Sequence, residues 1–156
     1  MNFEVLEKFN IEIPAVVGNS FDKIRVESDH LCDLLNFLKN NAQFSFDRLN
    51  TIIAVDLGLE AKLFELIYDL HSVQTGQSAR ISVFVDRESP HVPSVVEIYK
   101  SAYFDECEIF DMFGINFDNN PDLKRLLMPN GWIGNPLKKD YEQSDKRLAW
   151  NEDSEK

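Results

Sequence analysis

Residues 64–71 read Phe-Glu-Leu-Ile-Tyr-Asp-Leu-His, and this stretch decides the fold class. Its aromatic and leucine residues alternate with the others, which is the period of a strand that buries one face. Residues 49–56 are rich in β-branched residues, and residues 81–85 alternate in the same way. Residues 74–77, Gln-Thr-Gly-Gln, provide a hairpin connection between the last two stretches. The pattern predicts three consecutive strands in an antiparallel meander.

Helical patterns lie on both sides of these strands. Ile24 and Val26 indicate a short strand, after which Ser28 and Asp29 offer capping oxygens to a helix whose leucines recur at positions 31, 34, 35 and 38. Downstream, residues 94–113 read as one or two helical pieces that end at a glycine. We therefore predict an α+β domain over residues 1–117, in which helices pack on a small antiparallel sheet.

The composition excludes several classes of function. A formal net charge of −11 would repel phosphate backbones, so we predict no nucleic-acid binding. No apolar run approaches the roughly 18 residues that span a bilayer, and the acidic start lacks the basic region of an export signal. Two cysteines and three histidines, all scattered, do not supply the ligands of an iron–sulfur cluster or a structural zinc. We predict no cofactor, metal or catalytic residue in this chain.

Glu106 lies in the middle of the apolar face of the second predicted helix. At about 100° per residue, it falls between Phe110 and Phe113 on an arc that also holds Ala102, Tyr103, Cys107 and Ile109. An unpaired buried charge is costly, so Glu106 should have a partner. That partner is either its own fold, through the backbone or an arginine, or another chain that Glu106 docks or exchanges protons with.

Three further acids of this helix, Asp105, Glu108 and Asp111, point away from the apolar arc. We predict that they form a solvated face. The alternative is a metal or acid–base cluster of a free-standing enzyme, which would also use Glu106. Cys107, at the edge of the arc, is predicted to be inert core.

The pattern changes after residue 115. Pro121, Pro129 and Pro136 interrupt regular structure every seven or eight residues. The same stretch is too apolar for a solvated tail, because it contains Leu123, Leu126, Leu127, Met128, Trp132, Ile133, Leu137 and Tyr141. We predict an extended C-terminal arm over residues 118–156, called the strap below.

The strap differs from the rest of the chain in charge and reach. Residues 1–117 hold 9 basic and 19 acidic residues, whereas residues 119–147 hold 6 and 4. From Pro121 to Tyr141 the chain can extend roughly 70 Å, about twice the diameter of a domain of this size. We predict that the strap binds a partner, with Trp132 and Tyr141 as anchors. The alternative is that it folds back over its own domain.

The most specific residues resemble a known signature. Residues 102–115, Ala-Tyr-Phe-Asp-Glu-Cys-Glu-Ile-Phe-Asp-Met-Phe-Gly-Ile, are followed by residues 121–129, Pro-Asp-Leu-Lys-Arg-Leu-Leu-Met-Pro, and by residues 136–141, Pro-Leu-Lys-Lys-Asp-Tyr. Together with Trp132 and Gly134, they closely resemble the signature of the C-type or 30 kDa-type subunit of respiratory complex I. The residues predicted to bind a partner are Glu106, Glu108, Pro121, Asp122, Leu123, Lys124, Arg125, Trp132, Pro136, Leu137, Lys138, Lys139, Asp140 and Tyr141.

The resemblance implies a non-catalytic subunit in the peripheral arm of an NADH:quinone oxidoreductase, on the cytoplasmic side of the inner membrane. Its strap would wrap the large D-type subunit of the quinone module, beside neighbouring cluster-bearing subunits. Electrons would pass from NADH through FMN and iron–sulfur clusters to quinone, with proton translocation, and partner subunits would hold those cofactors. The alternative is the equivalent subunit of an energy-converting membrane-bound hydrogenase or an F420H2 dehydrogenase.

The sequence departs from the family pattern at several positions. Cys107 stands where the family usually has arginine, Phe104 where it has tryptophan, and Asn135 where it commonly has histidine. Asn119 and Asn120 replace Gly-His, and lysines replace arginines at positions 124, 138 and 139. Lysine cannot copy the two-pronged pairing of arginine, so the individual contacts of the strap do not follow from the resemblance.

Overall fold

A computed structural model describes residues 16–17, 20–129 and 131–142 of the chain. The parts of the predicted domain and strap at residues 1–15, 18–19, 130 and 143–156 lie outside the described residues. The elements are strands β1 (Val16–Val17), β2 (Ser20–Arg25), β3 (Arg48–Asp56), β4 (Leu63–His71), β5 (Ser78–Asp86), β6 (His91–Pro93) and β7 (Asn116–Asp118), and helices α1 (Leu31–Asn40) and α2 (Ala102–Phe113).

The predicted meander is confirmed. Strands β3, β4 and β5 pair antiparallel in chain order, with Ile53 opposite Ile67 and Ile67 opposite Ser82. Residues 72–77, which include the predicted hairpin connection, join β4 to β5. The side chains of a strand alternate between its two faces, and those on the inner face of these strands are buried.

The sheet as a whole is mixed rather than antiparallel. Its strand order is β1-β2-β5-β4-β3, and β2 pairs parallel with β5, with Ser20 opposite Ser78. A parallel pair needs a long connection between its two strands. Here α1 and the β3–β4 hairpin form that connection. The predicted α+β class is confirmed, and the direction of β2 is the difference.

The two helices close the core from different sides. Helix α1 buries its four periodic leucines in the same core as the inner side of the sheet. Residues 28–30 form a 3-10 turn before it. The N-cap of α1 is therefore His30 rather than Ser28 or Asp29, and it makes no side-chain capping hydrogen bond. Helix α2 ends at Gly114 in a left-handed conformation, as predicted.

Helix α2 lies beside β3, the last strand of the sheet. The Asp105 carboxylate accepts a hydrogen bond from the backbone N–H of Ile52 at 2.7 Å. The Ser101 hydroxyl donates to the carbonyl of Leu49 at 3.2 Å. These contacts fix the helix along the edge of the sheet. Within the described ranges, no helix is both long and apolar enough to cross a membrane.

Candidate partner-binding site

Asp111 fastens the middle of the strap to helix α2. Its carboxylate is fully buried and accepts hydrogen bonds from three consecutive N–H groups, those of Leu126, Leu127 and Met128, at 3.1, 2.8 and 2.9 Å. Arg125 Nη1 adds a contact of 2.8 Å. Burial alone would raise the pKa of Asp111, but these donors hold it below its ordinary value. The prediction of a solvated Asp111 is wrong, because the strap covers this side of the helix.

The strap also satisfies the end of helix α2, whose last carbonyl groups have no partner inside the helix. Asn135 Nδ2 donates to two carbonyl oxygens of the last turns at 3.3 and 3.0 Å. The N–H of Leu137 donates to the carbonyl of Met112 at 3.0 Å. A Cβ atom on Gly114 would stand 2.6 Å from Asn135 Oδ1, so this glycine also leaves room for the strap.

Asp56, at the end of β3, holds the strap at Lys139, near the end of its described part. It accepts hydrogen bonds from the backbone N–H groups of Gly58 and Lys139, both at 2.8 Å, and from the Arg87 guanidinium at 3.2 and 2.9 Å. Arg87 also pairs with Asp140 of the strap. Burial alone would raise the pKa of Asp56, but the bonds from Arg87 and the two N–H groups lower it to about 2.

Glu106 ties the root of the strap to the domain. It is fully buried, and it accepts hydrogen bonds from the Ser94 hydroxyl, the Val95 N–H and the Asn120 amide at 2.7, 2.8 and 2.7 Å. Burial raises the pKa of Glu106, and these bonds only partly oppose the rise. The prediction that Glu106 has a partner is confirmed, and the partner is its own fold. A direct contact with another chain stays a prediction.

Replacing Glu106 with alanine should lower the free energy of unfolding by about 2–4 kcal/mol, because one buried and two partly buried donors would lose their acceptor. Urea unfolding at neutral pH measures this change. Glu106→Gln should instead flatten the pH dependence, since a raised carboxyl pKa gives stability at low pH that is lost as pH rises through that pKa.

The matched control for Glu106 is Glu97→Ala, since the Glu97 side chain is 80% exposed and pairs with exposed Lys100. Surface substitutions of this kind change stability by about 0.5 kcal/mol or less. Equal losses in the Glu106→Ala and Glu97→Ala variants would contradict the structural role of Glu106.

Four large apolar side chains of the described strap are exposed. Leu127, Ile133 and Leu137 are 58%, 78% and 54% exposed, and Leu126 is 39% exposed. The backbone N–H groups of Leu126, Leu127 and Leu137 are turned toward the domain by the contacts with Asp111 and Met112. These four residues are called the apolar row below. Large side chains held in water in this way mark surfaces that bind other proteins.

The other predicted partner-binding residues of the strap differ in exposure. Trp132 and Tyr141, the predicted anchors, are both half-buried, and a Cβ on Gly134 would stand 2.7 Å from the Tyr141 ring. The partly buried residues are Leu123, Arg125, Pro136 and Lys138. The exposed residues are Pro121, Asp122, Lys124, Leu137, Lys139 and Asp140. The described strap follows its own domain, as the fold-back alternative expects, and its binding to a partner stays a prediction.

The three acids predicted to share a solvated face of α2 have different surroundings. Glu108 is exposed, as predicted, whereas Asp105 is half-buried against β3 and Asp111 is buried under the strap. Within residues 20–129 and 131–142, His, Cys, Asp and Glu side chains form no group of three that could hold a metal.

Sequence reasoning missed the roles of Asp56, Arg87, Asn120 and Asn135. None of them belongs to a local pattern, because each contacts residues distant in the chain, as Asp56 does with Lys139. A signal existed only for the asparagines. At both positions the sequence departs from the family pattern but keeps a polar residue.

A comparison with protein families matches residues 24–147 to the model of the respiratory-chain NADH dehydrogenase 30 Kd subunit. The chain belongs to this family. The matched residues include β3 to β7, both helices and the whole described strap. The three carboxylates that fasten the strap therefore lie inside the region that defines the 30 Kd subunit family.

Relatives of the family agree with this assignment. The C-type subunit of NADH-quinone oxidoreductase from Roseiflexus is 34% identical over 155 residues, which cover 96% of this chain and 88% of the relative. The corresponding protein of Saccharopolyspora erythraea is 39% identical over 117 residues, but this chain spans only 47% of its length. A trypsin-resistant fragment of Nqo5 has a TM-score of 0.61 and 25% identity, with 77% of this chain and 97% of the fragment covered.

Proposed function

We propose that this chain is a non-catalytic subunit in the peripheral arm of a proton-translocating NADH:quinone oxidoreductase, where it fastens neighbouring subunits together. One observation carries the proposal. Three buried carboxylates, those of Glu106, Asp111 and Asp56, hold the strap on the domain with its apolar row outward. A strap fixed in this way presents a preformed surface, which lowers the entropic cost of binding.

The proposed partners are those that the resemblance to the family implies. The strap contacts the large D-type subunit of the quinone module, and the domain lies beside the cluster-bearing subunits. FMN and the iron–sulfur clusters belong to partner subunits, which carry the electrons from NADH to quinone. The chain reaches the cytoplasmic side of the inner membrane through these partners.

The Leu126→Ser, Leu127→Ser double variant should lose its place in the complex while its domain stays folded. Both side chains are exposed in the isolated chain, and both backbone N–H groups remain available to Asp111. Burial of two leucines at an interface is worth about 2–4 kcal/mol of binding free energy. Purification of the tagged chain from solubilised membranes, with its partners quantified by mass spectrometry, measures the loss.

The control is Val73→Ser, which removes a side chain that is 61% exposed at the β4–β5 turn, away from the strap. This variant should retain its partners. Full retention by the double leucine variant would contradict the role of the apolar row. If the unaltered chain purifies with a hydrogenase or an F420-dependent subunit in place of a flavin-bearing NADH subunit, the alternative complex replaces the proposed one.

A further inference from the structure

A groove lies between the edge of β3 and helix α2, and Leu137 of the strap is part of its lining. Its floor is apolar and is formed by Ile109, Met112 and Phe113. Asp105 and Glu108 stand along its helix side. The groove is continuous with the apolar row through Leu137, so a chain bound to the strap can extend into it.

Some backbone hydrogen-bonding groups on the β3 edge of this groove have no partner among the described residues. The N–H of Leu57 donates to the carbonyl of Leu63 in β4. Val55 and Ile53 stand at the alternate positions before Leu57 in the same register, so their backbone groups also face β4. By the alternation of an antiparallel ladder, the backbone groups of Ile52 and Ala54 face away from β4. Ile52 donates its N–H to Asp105. Among the described residues, none pairs with the outward N–H and carbonyl of Ala54.

The groove also contains a negative charge that has no basic partner among the described residues. Asp105 is occupied by the N–H of Ile52. Glu108, one turn farther along α2, is exposed and makes no ion pair or hydrogen bond within the described part of the chain. Two basic groups of the strap are occupied by other residues, since Arg125 pairs with Asp111 and Lys138 lies over the Phe64 ring.

We propose that this groove receives an extended segment of a neighbouring protein subunit that carries an arginine or lysine. One residue of the segment pairs with the N–H and carbonyl of Ala54, as an added strand does. The basic side chain lies over Met112 and Leu137, with its charge on Glu108. The proposal rests on the proposed function, and it assigns the docking carboxylate of α2 to Glu108 instead of enclosed Glu106.

A small cation would explain the groove less well. It would satisfy Glu108, but it would leave the donor and acceptor of Ala54 and the apolar floor uncovered. A peptide segment matches all three features at once. Strand addition supplies the backbone bonds, and the basic side chain supplies the charge.

A photo-crosslinking amino acid, p-benzoylphenylalanine, at Ile53 tests which chain occupies the groove. Ile53 is 46% exposed and lines the groove. In membranes that contain the whole complex, we expect a crosslink to another protein of the NADH:quinone oxidoreductase, at a peptide with an arginine or lysine beside the linked residue. The same amino acid at Val73 is the control and should give no such crosslink.

The crosslinking outcomes separate the two proposals. A linked peptide of the oxidoreductase without a basic residue, or no crosslink in an assembled complex, overturns the groove proposal and leaves the proposed function intact. A linked basic peptide from an unrelated complex supports the groove and overturns the proposed function.

Glu108→Gln tests the charge directly. Loss of a charge-assisted bond should weaken retention of the neighbouring subunit about tenfold, seen as dissociation at lower salt concentration during washing of the immobilised complex. Glu60→Gln, at an exposed glutamate of the β3–β4 turn, is the control. Identical salt profiles for the two variants overturn the groove proposal.

Discussion

Replacement of Asp111 with alanine is expected to lower the free energy of unfolding by about 3–5 kcal/mol, the usual cost of removing one partner from a buried charge network. The carboxylate is the common acceptor for three strap N–H groups and for the Arg125 guanidinium. Without it, these partly buried donors lose their common acceptor, or the strap leaves the helix. Urea unfolding of the purified chain measures the total cost.

Trypsin separates the two responses to loss of Asp111. If the strap leaves helix α2, cleavage after Lys124 and Arg125 should accelerate at least tenfold, because trypsin needs an open, extended backbone. Glu108→Ala is the control on the same helix, since its side chain is exposed and its loss should change stability by about 0.5 kcal/mol or less. Equal unfolding curves for the two variants would refute the fastening role of Asp111.

Arg87→Ala should also lower the free energy of unfolding strongly, by about 3 kcal/mol. The guanidinium joins Asp56 of the sheet to Asp140 of the strap, and the Arg87 and Asp56 side chains are 9% and 3% exposed. Removal of Arg87 leaves a buried carboxylate with only two backbone N–H donors. Arg80→Ala is the matched control, because Arg80 is 67% exposed and pairs with Asp69, an arrangement usually worth less than about 1 kcal/mol.

The pH dependence gives a second readout for Arg87. Asp56 has a pKa of about 2 in the folded chain and about 3.9 when unfolded. A lowered pKa stabilises the fold above the unfolded value, and this contribution is lost as pH falls from about 4 to about 2. In Arg87→Ala the pKa of Asp56 should rise, so acid should remove less stability than in the unaltered chain. An unchanged acid profile would contradict this coupling.

The buried faces of the strands and helices could be predicted from the sequence, but the elements that lie beside them could not. Alternation along residues 64–71 indicates which side chains are buried, and this was sufficient for the meander of β3, β4 and β5. The parallel pairing of β2 with β5 left no local signal, because periodicity is the same for either strand direction. The C-terminal cap at Gly114 was predictable, since the residue type itself supplies the left-handed conformation.

The candidate site shows the same limit. Proline spacing and apolar content predict an irregular strap that must lie against a surface, but they do not indicate which surface. The prediction of a solvated face was wrong at Asp111 for this reason. A helical wheel describes one helix and does not show a later segment of the chain that covers it. The departures at Asn120 and Asn135 are now explained, because these side chains bind Glu106 and the end of α2.

The parallel pairing of β2 also affects synthesis of the protein. Ser20 is opposite Ser78, so the ribosome completes β2 well before its partner strand exists. At about 5–20 residues per second, the wait lasts roughly 3–12 s, during which the edge of β2 that faces β5 has no strand beside it. Slow codons or a chaperone at this stage would therefore act on β2, while the β3–β4–β5 meander can form as soon as it emerges.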